Sequence, residues 1–294
     1  MSESGNMDVS GSPVPAERPV ELRRSRRRLL GGGYLSGGLA VGALSLLAGF
    51  IALPILSLVI WTVSNSAWQE MTSPAAVDAL LLSARTTAIS MAIILLVGTP
   101  AAYVLARYDF PGKRIVNTLV DLPAVLPPSA AGIALLLAFG RVGLIGEQLT
   151  ALGITISFTT AAVVLAELFV ATHFYVRQAT VGFGQIERGI EEAALVDGGG
   201  PITVFLKVTI PLAFPALVAG AVTAWARALG EFGGTIIFAG NIQGVTQTIP
   251  LAIFSELEKD FDAAVALSVL VLGFAFVVIL TARYLTRKAA EVRG

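Results

Sequence analysis

The chain of 294 residues has no cysteine and a single histidine, His173. Neither a disulfide framework nor a cysteine-ligated metal site is therefore possible, and one histidine excludes a multi-histidine metal site. No Gly-x4-Gly-Lys-[Ser/Thr] segment occurs, so the chain has no P-loop for nucleotide phosphates. We also find no pairing of a nucleophile with a base, and we expect no catalytic residues and no cofactor on this chain.

Charged residues are scarce as well. They make up 14% of the chain, against roughly 25% in soluble domains, while hydrophobic residues make up 55% and the mean hydropathy is +0.80. A soluble fold needs more charge than this to cover its surface, so the composition argues against a soluble enzyme. The 20 basic residues balance the 20 acidic residues, and nothing indicates a nucleic-acid partner.

The hydrophobic residues are concentrated in long apolar runs. Each is long enough to cross a hydrocarbon core of about 30 Å at about 1.5 Å per residue, and backbone groups without water must bond within a helix. The first run ends near Trp61, and five further runs cover about Thr86–Ala106, Ile115–Phe139, Thr159–Val176, Ile210–Gly230 and Phe261–Leu285. The sequence therefore predicts an all-α, multi-pass protein of the cell membrane, with six transmembrane helices in residues 33–286.

The basic residues are distributed unevenly between alternate loops. Sixteen of the 20 lie before the first span, after the second and fourth spans, or near the C-terminus. Because basic residues favour the cytoplasmic side, both termini are predicted to be cytoplasmic. We interpret residues 1–32 as a disordered basic tail, since they have too few apolar residues to fold alone, and residues 287–294 as a short second tail.

The loop over residues 182–207 is longer than a simple connection requires. Its pattern predicts a short helix over Gln185–Asp197, with carboxylates near the positive end of the helix dipole. Gly198-Gly199-Gly200-Pro201 then ends the helix, because glycine suits a helix C-terminus and proline cannot continue one. The pair Ala193-Ala194 has little side-chain bulk, so another protein can approach the backbone closely.

The same loop contains Glu192-Ala193-Ala194, then Gly198 after three residues and Val208-Thr209-Ile210-Pro211 after nine more. This arrangement resembles the EAA loop of ABC importer permeases, E-A-A-x3-G-x9-I-x-L-P, from which it departs only by apolar replacements at 208 and 210. In that family the short helix inserts into a cleft of the cytoplasmic ATPase subunit. The residues that the resemblance assigns to ATPase coupling are Glu191, Glu192, Ala193, Ala194, Asp197 and Gly198.

The resemblance covers residues 33–286 and implies a type I ABC importer permease architecture. It further implies a second copy of the permease, a separate ATP-binding subunit that carries the ATP and Mg²⁺, and an extracytoplasmic solute-binding protein, with membrane lipid around the spans. The chain itself is then a conduit and not an enzyme.

Two segments carry a narrower resemblance. The segment Asp121–Ser129, with Pro127-Pro128, is similar to the third span of molybdate permeases. The segment Trp225–Gly234, followed by Ala239-Gly240-Asn241, is similar to the end of the fifth span in molybdate, tungstate and sulfate permeases. Phe232 and the proline pair favour molybdate or tungstate, and a sulfate or thiosulfate permease is the alternative.

Polar residues within the spans are candidates for the translocation path, because ionisable groups at membrane depth usually face the bundle interior. The candidates of this kind are Arg227 and Glu231, and the segment that resembles the third span of molybdate permeases adds Pro127, Pro128 and Ser129. Arg227 and Glu231 are spaced i, i+4, so they either attract and position an oxyanion near the pore mouth or simply stabilise one another. For Glu167, in the fourth span, we predict a structural hydrogen bond to a neighbouring helix.

A secondary transporter driven by an ion gradient is the rival from another class. Many such carriers contain an inverted internal repeat, and none is evident in this sequence. That class would also leave the long loop and its glycine stop unexplained.

Overall fold

The computed structural model describes residues 33–291, which contain helices and turns and no strand. The prediction of an all-α protein is confirmed. The helices are, in chain order, α1 (Gly33–Ser64), α2 (Pro74–Arg107), α3 (Lys113–Val125), α4 (Pro128–Phe139), α5 (Gly146–Ala151), α6 (Thr160–Gly184), α7 (Arg188–Val196), α8 (Pro201–Val204), α9 (Ile210–Leu229), α10 (Gly233–Phe238), α11 (Ile249–Leu257) and α12 (Phe261–Glu291). A 3₁₀ turn, Ala67–Thr72, precedes α2, and a π-helical turn, Phe205–Thr209, joins α8 to α9.

The described residues form two units. Residues 33–55 belong to the first unit and contain the start of α1, while residues 56–291 form the second. The predicted tail at 1–32 lies outside the described residues, as do 292–294. Helix α12 continues to Glu291, so most of the predicted C-terminal tail is helical.

Five helical segments are long and apolar enough to cross a membrane: Gly37–Ser64, Pro74–Arg107, Thr160–Gly184, Pro201–Leu229 and Phe261–Tyr284. A sixth span results only if α3 and α4 are counted together, and these two helices meet at a bend of 119°. The chain is therefore a multi-pass membrane protein with five or six spans. The single helix predicted over Ile115–Phe139 is wrong, because the structure breaks it in two.

The break follows from the local sequence. Leu126 and Pro127 both take extended backbone angles, with ψ of 132° and 138°. A residue that precedes proline is pushed out of the α region, and neither Pro127 nor Pro128 has an N–H to donate. Pro128 then occupies the first turn of α4, where a missing N–H costs nothing.

Helices α2, α6 and α9 pack against one another and form the centre of the second unit. Small side chains line their contacts, including the fully buried Ala102, Ala171 and Ala224. Such residues let helix backbones approach closely, which matters in a membrane because lipid gives no hydrophobic drive for helices to associate. A few large side chains, such as Ile94 and Phe183, are buried there as well, whereas others face outward, as Leu96 does at 77% exposure.

A buried carboxylate links α2 to α6. Glu167 is 2% exposed, and both of its oxygens accept hydrogen bonds from hydroxyls of α2. Thr86 Oγ1 donates to Oε1 at 2.8 Å, and Ser90 Oγ donates to Oε2 at 2.7 Å. The predicted structural hydrogen bond of Glu167 to a neighbouring helix is confirmed.

Replacement of Glu167 is expected to loosen the contact between α2 and α6. In Glu167→Ala the Thr86 and Ser90 hydroxyls lose their short hydrogen bonds and keep only backbone acceptors at 3.3 Å. We expect this change to cost about 1–3 kcal/mol and to lower the melting temperature of the purified protein in detergent. Glu167→Gln keeps one acceptor oxygen, so its loss is smaller. The control is Thr223→Ala, since the exposed Thr223 hydroxyl bonds to Ala219 of its own helix. A Glu167→Ala protein as stable as this control would contradict the prediction.

Candidate functional site

Helix α7 is the short helix that the sequence predicts in the long loop, with different ends. It runs over Arg188–Val196, because Glu187 is still extended and Asp197 has left helical geometry. The predicted glycine stop is confirmed. Gly198 has φ of +89°, and the amides of Gly198 and Gly199 donate to the carbonyls of Leu195 and Ala194 at 3.1 and 3.0 Å, which is the Schellman pattern of helix ends.

The residues expected to couple to an ATPase divide between two faces of α7. Glu192, Ala193, Asp197 and Gly198 are exposed, and Ala194 is half-buried. Glu191, in contrast, is the buried residue of this helix, with 9% of its surface exposed. The exposed set forms a small-sided surface that a partner can reach, whereas Glu191 points into the protein.

Glu191 contacts two other helical segments. Its Oε2 lies 3.2 Å from Nη2 of Arg107, the last residue of α2, and Thr209 Oγ1 donates to its Oε1 at 2.7 Å. A further hydrogen bond joins α7 to α2, since Arg188 Nη2 donates to the Arg107 carbonyl at 3.1 Å. The side chains of Arg107 and Glu191 are only 8% and 11% exposed, so the pair is largely shielded from water.

A cavity of about 290 Å³ lies beside this junction. It is lined by Tyr103, Arg107, Tyr108, Arg188, Glu191, Glu192, Leu195, Pro201 and Val204. A second ion pair nearby is exposed to water: Lys113 Nζ, at the start of α3, donates to Oδ1 of Asp109, on the loop that precedes α3, at 2.9 Å. That hydrogen bond, with the charge of Lys113, lowers the pKa of Asp109 below its usual range.

The second group of candidates lies where α4 meets α10. Glu231 is 2% exposed; its Oε1 accepts from the Gly234 amide at 2.7 Å, and its Oε2 lies 2.6 Å from Arg227 Nη2. The carboxylate therefore caps the N-terminus of α10 and holds the guanidinium of α9 at the same time. Arg227 keeps 29% of its side chain exposed.

Glycines bring α4 and α10 into backbone contact. A Cβ on Gly132 would lie 2.9 Å from the Gly234 carbonyl oxygen, and one on Gly233 would lie 2.6 Å from Pro128 Cβ. No side chain fits at either place without a shift. The Pro127-Pro128-Ser129 segment and the Glu231–Gly234 segment, which are far apart in the sequence, thus form one continuous region.

Sequence reasoning missed the contact that holds α3 to α6. Arg177 forms a bidentate ion pair with Asp121, and its Nη1 donates to Asn117 Oδ1 at 2.9 Å. His173 Nδ1 lies 3.1 Å from both the Val120 carbonyl and Asp121 Oδ1. The available signal was that Asp121 and Arg177 both lie near the same end of neighbouring spans. Within the described part of the chain, no cluster of acidic and histidine side chains is placed to hold a metal ion.

Comparison with known families gives a match over residues 95–291 to the family model described as binding-protein-dependent transport system inner membrane component. The molybdenum transport system permease protein ModB of Mycobacterium tuberculosis is 46% identical over 231 residues, which cover 79% of this chain and 88% of the relative. A probable sulfate transport system permease protein, cysT of Nephroselmis olivacea, is 36% identical over 224 residues, covering 76% and 79% of the two chains.

Solved structures agree on the fold. A chain of the bacterial alginate ABC transporter, crystallised in complex with an alginate pentasaccharide-bound periplasmic protein, matches with a TM-score of 0.67. The match covers 87% of this chain and 94% of the other, at 14% sequence identity. At that identity the likeness concerns the arrangement of helices alone.

The backbone contact between α4 and α10 predicts an asymmetric response to alanine. In Gly132→Ala the new methyl group forces the two helices apart, which we expect to cost about 1–3 kcal/mol and to lower the melting temperature. Gly273→Ala is the matched control, because nothing lies within 4 Å of its Cβ and alanine favours helix by up to about 1 kcal/mol. Equal melting temperatures for the two variants would contradict the predicted contact.

Proposed function

Because the chain belongs to the family of binding-protein-dependent transport system inner membrane components and is an ABC importer permease, we propose that it forms the transmembrane path for molybdate or tungstate. The observation that supports the substrate is the 46% identity to the molybdenum permease of Mycobacterium tuberculosis; at 36%, a sulfate permease and another molybdenum permease are equally similar to this chain. Sulfate or thiosulfate is the second candidate, since sulfate permeases are among the relatives.

The chain works in this proposal as one part of an assembly. A separate cytoplasmic subunit binds ATP and Mg²⁺, which fits the absence of a P-loop from this sequence. Two copies of the chain enclose the path, and a solute-binding protein delivers the oxyanion from the outer side. The alginate transporter supports this kind of assembly, because its structure includes a periplasmic protein.

The exposed face of α7 is the docking surface for the ATPase. Glu192 and Asp197 offer charge at its edges, and Ala193 allows close approach of another backbone. The glycine stop at Gly198 keeps the helix short and sets the angle at which the chain leaves it. A partner that binds this exposed face can move the short helix.

The region around α4 and α10 is the candidate for the path. Arg227 is partly exposed but already paired with Glu231, so its charge is largely compensated. A compensated guanidinium attracts a dianion without trapping it, which suits a conduit better than a tight binding site. Pro128 and Ser129 lie against Gly233 in the same region, and Pro127 directly precedes them.

Transport into proteoliposomes tests the proposed function. The chain is reconstituted with its ATPase and binding protein, and uptake of labelled molybdate is followed with and without ATP. We expect ATP-dependent uptake that tungstate inhibits more strongly than sulfate does. Stronger inhibition by sulfate would favour the second candidate, and uptake driven by an ion gradient without ATP would refute the proposal.

Ala193 is expected to tolerate only small replacements. In Ala193→Trp the bulky ring keeps the ATPase from the surface of α7, so we expect co-purification of the ATPase to fall at least about ten-fold, equivalent to about 1.4 kcal/mol of binding. Ala193→Ser retains a small side chain and serves as the control. Normal recovery of the ATPase with the tryptophan variant would place the docking surface elsewhere.

Arg227 is expected to raise the local concentration of the anion. Arg227→Gln leaves the buried Glu231 carboxylate without its counter-charge, so the local charge becomes negative and uptake of an anion at limiting substrate should fall about ten-fold. Arg227→Lys keeps a positive charge beside Glu231 and should retain most of the uptake. Unchanged uptake with glutamine would leave the pair with a purely structural role.

A further inference from the structure

We propose that Arg107, Glu191 and Thr209 form an internal joint that makes α7, α2 and α9 move together. This inference rests on the proposed function, because it concerns how a movement of α7 is transmitted to the membrane-spanning helices. It assigns positioning roles to Arg107 and Thr209. Glu191, which the resemblance assigned to the contact with the ATPase, is reassigned to an internal contact.

The first argument is the place of each residue in the fold. Arg107 is the last residue of α2, and Thr209 is the last residue of the π-helical turn that leads into α9. Glu191 lies in the middle of α7. One carboxylate therefore forms an ion pair with the end of α2 and accepts a hydrogen bond from the residue that precedes α9. Both α2 and α9 pack against α6 in the centre of the unit.

Burial makes this contact costly to break. Thr209 is fully buried, and the Arg107 and Glu191 side chains are about nine-tenths buried. Removal of one partner from a buried ion pair leaves an uncompensated charge, which is far less favourable than the loss of a pair at the surface. We therefore expect the contact between Arg107 and Glu191 to persist when a partner moves α7.

The π-helical turn supplies the geometry on the α9 side. The amide of Ile210 donates to the Phe205 carbonyl, five residues earlier, instead of following the usual α pattern. Such widened turns are rare and often occur at functional positions. Here the turn ends at Thr209, whose hydroxyl donates a hydrogen bond to Glu191 Oε1.

The opposite face of α7 completes the argument. Ala193 is exposed two residues after the buried Glu191, so the surface that a partner touches and the residue that holds the spans lie on different sides of one short helix. Arg188 lies one turn before Glu191 and bonds to the Arg107 carbonyl, which resists rotation of α7 about a single contact.

The test compares three changes in the full complex with its ATPase and binding protein. Glu191→Gln removes the charge but keeps an oxygen for Thr209. The exchange of Arg107→Glu with Glu191→Arg restores a pair in reverse. Asp109→Asn breaks the exposed pair with Lys113 and is the matched control.

We expect Glu191→Gln to bind the ATPase normally and to hydrolyse ATP, while the ATP consumed per oxyanion transported rises about ten-fold, a typical size for a lost coupling between sites. The double exchange should recover a large part of the wild-type ratio, and Asp109→Asn should leave the ratio unchanged. A Glu191→Gln ratio equal to that of Asp109→Asn would overturn the joint. Loss of ATPase binding in Glu191→Gln would also overturn it, because Glu191 would then belong to the docking surface.

Hydrogen exchange on the purified full chain separates this inference from the proposed function. We expect amides of residues 188–196 to exchange faster in Glu191→Gln than in the wild type or Asp109→Asn. If the wild-type complex transports no oxyanion but this difference is present, the proposed function fails and the joint stands. Identical exchange in all three proteins refutes the joint whatever the transport assay gives.

Discussion

The structure depends on the need to satisfy polar groups where water is absent. Lipid does not drive helices together as water does, so small side chains and buried hydrogen bonds hold the bundle. Glu167 joins α2 to α6, Arg177 joins α6 to α3, and Glu191 joins α7 to α2 and α9. Burial of each of these ionisable side chains is costly without a partner, and tertiary structure supplies the partners.

The same contacts explain how one chain combines rigidity with movement. Helices α2, α6 and α9 pack closely through alanines, whereas α3 is joined to α6 by the hydrogen bonds and ion pair of Arg177 and bends away from α4 at the proline pair. A permease that alternates between two openings needs both a firm centre and segments able to change their angle.

Much of this architecture could be predicted from the sequence. Apolar runs of about twenty residues identified the spans, and glycine followed by proline identified the end of α7, because both signals are local. The split of the third span was missed, since prolines kink some helices and end others depending on their surroundings. The inward direction of Glu191 was missed as well: Glu191 and Glu192 are adjacent and chemically identical, and only the positions of Arg107 and Thr209 distinguish them.

The central claim is that α7 and the ends of α2 and α9 move as one body. Distances between spin labels test it directly, with labels at the exposed Val196 of α7 and Val104 of α2 in one copy of the assembled transporter. The account predicts the same distance with and without ATP bound to the ATPase, while distances between the two copies change. A shift of several ångströms between Val196 and Val104 on ATP binding would contradict it.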